Sequence, residues 1–142
     1  MTFEKTFVKQ KLNRVLDYLA EIEDIFKFSD QEIKKDFTKL HTAERLLQLI
    51  VDEMTDINQH FIKELDLKTP EDFQSTFYIL GENKILPLEF AQKIAPVVGM
   101  RNRIVHRYEE LNKDLFIKKF RKNISDFKMY LKIINDFIET KK

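Results

Sequence analysis

Cysteine is absent from this 142-residue chain, which excludes a disulfide framework and a zinc site built on thiolates. Glycine and proline are scarce, with 2 and 3 residues. Because these residues most often interrupt regular structure, their scarcity favours long helices. A run of apolar residues long enough to cross a membrane is also lacking, and residues 1–5 carry charge where a signal peptide needs an apolar stretch. We therefore expect an all-α protein of the cytoplasm, with no membrane partner.

A large excess of charge of one sign is missing too, since the formal net charge is +1. The chain as a whole is therefore not expected to bind nucleic acid through bulk charge. One segment is more basic than the chain as a whole, because residues 101–122 contain eight Lys or Arg against three acids, an excess of five positive charges. That excess suits an RNA backbone, although a solvated surface partly neutralised by Glu109 and Glu110 remains an alternative. The length leaves room for one hydrophobic core, so residues 1–142 are expected to form one domain.

Apolar residues recur at spacings of three and four along most of the chain, which is the period of amphipathic helices. The first predicted helix covers residues 4–27, with a buried stripe that includes Leu16. Ser29 and Glu32 have the spacing of a capping box and predict the start of a long second helix over residues 29–67. Thr69 and Pro70 fit the N-cap and first residue of a third helix.

Gly81 is expected to end the third helix, and Pro87 to open a fourth helix that carries a possible kink at Pro96. A last amphipathic helix is predicted over residues 113–141. The predicted architecture is an up-and-down bundle of four to five helices.

The octapeptide at residues 101–108 reads Arg-Asn-Arg-Ile-Val-His-Arg-Tyr and concentrates reactive groups. Arg101 supplies a cation that keeps its charge and can hold a phosphate. His106 supplies an imidazole, a group that moves protons near neutral pH. Tyr108 adds a nucleophilic hydroxyl beside them. The segment predicts an RNA-cleaving site that uses neither a metal nor a cofactor.

Helix geometry separates these groups. At about 100° per residue, Arg101 and His106 lie about 140° apart on an unbroken helix. Either the helix loosens near His106, or a second copy of the chain completes the site. Asn102 shares a face with His106 and is expected to orient the imidazole or the phosphate.

The Arg-x4-His-x-Tyr spacing of Arg101, His106 and Tyr108 resembles the signature of the HEPN superfamily, and in particular that of the HepT toxins. The resemblance extends over residues 12–137. It includes residues 43–48 and 56–62, which look like the family's long second helix, and residues 69–73 and 81–87, which look like the connection before its motif helix.

This resemblance implies the HEPN fold and a metal-independent endoribonuclease that cleaves tRNA or mRNA as the toxin of a type II toxin–antitoxin pair. It implies a homodimer whose paired motifs line one cleft, either alone or within a larger hetero-oligomer. Arg101 and His106 would be catalytic, with Asn102 in support. The RNA-binding residues would be three neighbouring cations: Arg103, Arg107 and Lys113.

The resemblance also implies a partner, a nucleotidyltransferase antitoxin of the MNT type that neutralises the toxin by transferring AMP to Tyr108. The sequence leaves one alternative open, in which the chain is a non-catalytic helical partner that presents a nucleotide or substrate to a nucleotidyltransferase. No role is expected for His41 or His60. Two interpretations are open for three acids on the second helix, Asp52, Glu53 and Asp56: they face the motif, or they form a solvated polar face, which is the more economical of the two.

Overall fold

The computed structural model describes residues 3–140, and over that range the chain contains helices, turns and no strand. The helices are α1 (Lys5–Ile25), α2 (Asp30–Lys35), α3 (Phe37–Glu64), α4 (Phe73–Glu82), α5 (Leu88–Ile94), α6 (Val97–His106) and α7 (Lys113–Thr140), with a 3-10 helix at Tyr108–Glu110. None of these helices is both long and apolar enough to span a membrane. The prediction of an all-α fold is confirmed.

The three longest helices, α1, α3 and α7, pack side by side, and α1 runs in the opposite direction to the other two. The contacts between α1 and α3 pair early residues of one with late residues of the other, as in Glu4–His60 and Lys11–Asp56. The contacts of α7 with α1 run the same way, as in Lys9–Glu139 and Lys128–Glu23. Helices α3 and α7 therefore both run antiparallel to α1, and a single hydrophobic core lies between them.

A buried polar chain ties α4 to this core. The hydroxyl oxygen of Tyr130 lies 2.6 Å from Asn58 Oδ1, and burial raises the pKa of Tyr130 well above its ordinary value. Asn58 Nδ2 donates to Thr76 Oγ1 at 3.1 Å, and Thr76 donates to the carbonyl of Phe73 at 2.6 Å. Since a buried polar group without a partner is costly, these bonds fix α4 against α3 and α7.

The predicted second helix is divided in two. Ser29 and Glu32 form the expected capping box at the start of α2. A continuous helix over residues 29–67 is nevertheless wrong, because Asp36 adopts extended backbone angles (φ −102°, ψ 104°). The Asp36 carboxylate accepts from the amides of Thr38 and Lys39 and caps α3. A side chain that satisfies free amide groups makes such a restart favourable.

The start and end predicted for the third helix are also wrong. Asp72, not Thr69, is its N-cap, and the Asp72 carboxylate accepts from the Ser75 amide at 2.8 Å. The helix continues past Gly81, where a Cβ atom would lie 2.8 Å from the Cβ of Ala91. Gly81 therefore permits close packing of α4 on α5.

Of the two prolines on the fourth predicted helix, Pro87 starts a helix as expected, whereas Pro96 lies at a break between two helices and not at a kink within one. Pro87 is the N-cap of α5. At Ala95 and Pro96 the chain keeps helical backbone angles but the regular hydrogen bonding is interrupted, which separates α5 from α6. Because the second and fourth predicted helices are each divided, there are seven α-helices in the described range instead of four or five. The predicted end of the last helix at Lys141 lies outside the described residues.

Candidate active site

The Arg-x4-His-x-Tyr motif spans the end of α6 and the turn that follows. Arg101 and His106 both lie on α6, which ends at His106. Arg107 leaves the helical conformation (φ −141°, ψ 53°), and Tyr108 begins the short 3-10 helix. The helix thus ends at the histidine, and Tyr108 is not on the same helical face as Arg101. Arg101 and His106 still face different directions, because both belong to one regular helix.

Arg101 is held by an ion pair with α3. Its Nε donates to Asp52 Oδ1 at 2.9 Å, and its side chain is only 14% exposed. Its Nη1 donates to Asn102 Oδ1 at 3.2 Å, and its guanidinium carbon lies 5.9 Å from the ring centre of Phe73. Nη2 has no hydrogen bond to another described residue. The guanidinium is therefore fixed through Nε and Nη1, while Nη2 can still bind an anion.

The interpretation of these acids as a solvated face is wrong for Asp52 and also for Glu53, which is only 9% exposed. Asp52 faces the motif, whereas Glu53 and Asp56 pair with Lys11 of α1 at 3.4 and 2.8 Å. Nothing in the local sequence distinguishes Asp52 from these neighbours, because its partner is 49 residues away.

His106 and Asn102 share no hydrogen bond among the described contacts. The imidazole of His106 is exposed and has no hydrogen-bond partner among residues 3–140. Asn102 instead supports Arg101 through the bond described above, and it borders a small cleft of about 250 Å³ beside Phe73. Among the described residues, Asn102 therefore orients Arg101 and not His106.

Tyr108 is bound to a buried carboxylate. Its hydroxyl donates to Glu44 Oε2 at 2.8 Å, and the other oxygen of Glu44 lies 3.0 Å from His41 Nδ1. Glu44 is 5% exposed. Burial first, and then the hydrogen bond and negative charge of Glu44, raise the pKa of Tyr108 to about 12. The phenol therefore stays protonated at neutral pH and is held against α3.

Glu44 and His41 are site residues that the sequence interpretation missed. Glu44 had a usable signal, because it occupies a position in the apolar stripe of α3, four residues after Leu40 and three before Leu47. An acid at such a position requires a specific partner. His60 differs from His41, since its Nε2 accepts from the amide of Glu4 at 3.0 Å and its ring stacks on Phe7. Both contacts of His60 join α3 to the start of α1 and serve the packing of the fold.

The basic residues around the motif divide into two groups. Arg103, Arg107 and Lys113 are not buried, and Lys113 Nζ lies 5.7 Å from the ring centre of Tyr108. Arg121 by contrast pairs with Asp30 and donates to two backbone carbonyls at the end of α1. Arg121 therefore stabilises the packing of α7 against the end of α1 and the start of α2. Arg103, Arg107 and Lys113 remain on the surface near the motif.

The described residues contain no group of three or more His, Asp or Glu side chains placed to hold a metal ion.

Known proteins resemble this chain over nearly its whole length. The family model for HepT-like ribonucleases matches residues 15–134. A tRNA nuclease HepT of Aphanizomenon flos-aquae is 33% identical over 130 residues, which cover 91% of this chain and 86% of that protein. An mRNA nuclease HepT of Shewanella oneidensis is 25% identical over 124 residues, 87% of this chain and 92% of that protein.

A solved structure has the same fold. It contains a tri-AMPylated HEPN toxin of Shewanella oneidensis in complex with an MNT antitoxin, and it aligns with a TM-score of 0.86 at 22% identity, covering 94% of this chain and 99% of that chain. The HEPN fold predicted from the motif is thereby confirmed. With the family model matched over residues 15–134 and a relative above 30% identity, this chain belongs to the HepT-like ribonuclease family.

Proposed function

We propose that this protein is a metal-independent endoribonuclease and the toxin of a type II toxin–antitoxin pair. The observation that carries the proposal is the presence on one helix of Arg101, which Asp52 fixes while Nη2 stays without a hydrogen bond, and of an exposed His106 without a hydrogen-bond partner among residues 3–140. The relatives named as tRNA and mRNA nucleases support RNA as the substrate. Nothing in the site favours the alternative of a non-catalytic scaffold, which would need neither group.

The proposed reaction uses the ribose of the substrate as nucleophile. The 2′-oxygen attacks the adjacent phosphorus and the bond to the 5′-oxygen breaks, which leaves a 2′,3′-cyclic phosphate and a 5′-hydroxyl. An imidazole of His106 accepts the proton of the 2′-hydroxyl, and an imidazolium donates a proton to the leaving oxygen. Arg101 stabilises the negative charge that develops on the phosphorane. Arg103, Arg107 and Lys113 bind neighbouring phosphates.

One histidine cannot easily be base and acid in the same step, and Arg101 and His106 diverge on α6. A two-fold homodimer resolves both difficulties, because it brings two copies of the motif to one cleft. His106 of one protomer then acts as base while that of its partner acts as acid.

The partner proposed for this toxin is a nucleotidyltransferase antitoxin of the MNT type, in a hetero-oligomer of both chains. The tri-AMPylated Shewanella toxin in complex with its antitoxin supports this pairing. The modified residue proposed here is Tyr108, whose oxygen attacks the α-phosphorus of ATP as pyrophosphate leaves. The attached nucleotide blocks the site by occupying its volume and by cancelling the positive charge of Arg107 and Lys113.

Substitution of either catalytic residue tests the reaction. His106→Ala and Arg101→Ala should each lower RNA cleavage by about 10²- to 10⁴-fold, because they remove the proton carrier or the phosphate clamp. Cleavage of RNA by purified protein in the presence of a chelator, with end-group analysis of the products, is the measurement. Lys132→Ala, which breaks an exposed pair with Asp136, is the control and should cut normally. A folded His106→Ala protein with full activity excludes His106 from the mechanism.

The dimer is tested by mass in solution. Light scattering at micromolar concentration should give about twice the 17.2 kDa of the chain, because identical motif faces complete one cleft. A monomer that retains full ribonuclease activity contradicts the shared site.

Mass spectrometry tests the modification. Co-expression with the cognate nucleotidyltransferase should add one or more units of about 329 Da to the chain, the formula mass of a transferred AMP group. Tyr108→Phe should accept none and should resist neutralisation, while Tyr18→Phe is the matched control and should be modified normally. AMP found on another residue, or neutralisation without added mass, argues against Tyr108 and leaves the ribonuclease proposal intact.

A further inference from the structure

A row of aromatic rings leads away from Tyr108 along the surface of α3. The ring centres of Tyr108 and His41 are 6.4 Å apart, and those of His41 and Phe37 are 6.0 Å apart with an interplanar angle of 13°. Phe37 is 71% exposed, more than any other large apolar residue of the described chain. Its ring contributes little to the core, so its position is not explained by folding.

The row is fixed in place by a buried group. The Glu44 carboxylate binds the Tyr108 hydroxyl with one oxygen and contacts the His41 ring with the other. Two of the three rings are therefore held by polar contacts to a side chain that is only 5% exposed. A stacking surface held in this way loses little conformational freedom when a flat ligand binds.

An open groove of about 510 Å³ adjoins the outer part of the row, a size within the range of small-ligand sites. Phe37 and His41 form part of its wall together with Thr38, Thr42 and Arg45. Arg45 is exposed and has no ion pair among residues 3–140. The rest of the wall is one acid, Glu21, and two leucines, Leu46 and Leu49. The groove thus combines aromatic and aliphatic faces, hydroxyl groups and one cation without an ion pair, with a single acid at its wall.

This combination fits single-stranded nucleic acid. Bases stack on aromatic side chains while neighbouring cations follow the phosphates. Arg45 is available on one side of the row, and Lys113 lies over Tyr108 at its inner end. The row is also continuous with the catalytic motif, because Tyr108 follows His106 by two residues. Along α3, Asp52 and His41 are separated by about 16 Å at 1.5 Å per residue, so only a few nucleotides are needed to connect them.

We propose that Phe37, His41 and Tyr108 form a stacking track for the bases of the RNA strand that flanks the scissile phosphate, with Arg45 and Lys113 binding its backbone. This inference rests on the proposed ribonuclease function. It assigns a task to Phe37 and His41, which lie outside the motif. It also gives Tyr108 a place on the path of the substrate, where an attached AMP competes with an RNA base.

Binding measurements separate the track from catalysis. The full-length His106→Ala protein, which leaves RNA uncut, is titrated with a fluorescent decameric oligoadenylate and with a ribose-phosphate decamer that lacks bases. Adding Phe37→Ala should weaken binding of the oligoadenylate about tenfold, within the range for loss of one base–aromatic stack, and should leave binding of the baseless decamer unchanged. Phe37→Trp should restore the affinity, because it restores a ring.

Met129→Ala is the matched control, since Met129 is a 48% exposed apolar residue on α7, and it should bind both probes normally. Equal binding of the oligoadenylate with and without the Phe37 ring overturns the track, even if the wild type cuts RNA. A wild type that binds the oligoadenylate through Phe37 but never cuts RNA contradicts the ribonuclease proposal alone.

One further measurement distinguishes a base of bound RNA from the adenine of an AMP group attached to Tyr108. In protein modified on Tyr108, proton resonances of the adenine report stacking through ring-current shifts. If these shifts depend on Phe37 while the affinity for RNA does not, the aromatic row stacks on the attached adenylate. That result overturns its role in RNA binding.

Discussion

The ion pair between Arg101 and Asp52 is the contact on which the candidate site depends. A guanidinium with 14% exposure loses most of its hydration, and an opposite charge at 2.9 Å compensates for that loss. The pair fixes α6 against α3 at the level of the motif. It also holds the guanidinium by Nε, and in the proposed mechanism the remaining Nη2 donates to the phosphate, so one contact would position both the helix and the phosphate-binding group.

Helix α3 positions the rest of the site by the same means. Glu44 lies eight residues before Asp52, about 12 Å away along the helix axis, and it binds Tyr108 as Asp52 binds Arg101. Arg101 and Tyr108, the two ends of the motif, are therefore both held by one helix. In the proposed modification, an AMP group removes the O–H that Glu44 accepts and places a negative phosphate beside that carboxylate. The modified tyrosine would then lose its hydrogen bond to Glu44 and be repelled by that carboxylate.

Local chemistry made much of the fold predictable from the sequence. The capping box at Ser29 and the helix start after Pro87 depend on residues a few positions apart, and both are found. The break at Asp36 was missed, although the cap is local, because an apolar period continues through it. Leu16 was expected in a buried stripe but is 53% exposed. The helical period alone does not tell whether a neighbouring helix covers this position.

The motif residues of the site were found because they are close in sequence. Their supports were not found, because each lies on another helix: Asp52 is 49 residues from Arg101, and Glu44 is 64 residues from Tyr108. Such pairs are determined by how α6 packs on α3, which a single sequence does not reveal. An acid within an apolar stripe is the one signal that anticipates such a pair, and of the two acids only Glu44 carries it.

The most direct test of the central claim is a double-mutant cycle between Arg101 and Asp52, with the rate of RNA cleavage as the measurement. Asp52→Ala should lower kcat about tenfold to a hundredfold, because a misplaced phosphate clamp loses alignment, while Asp56→Ala, on the same helix, should not. In the Arg101→Ala background, removing Asp52 should cost nothing more. Full activity of Asp52→Ala, or losses that multiply independently in the double variant, would contradict the claim that Asp52 acts through Arg101.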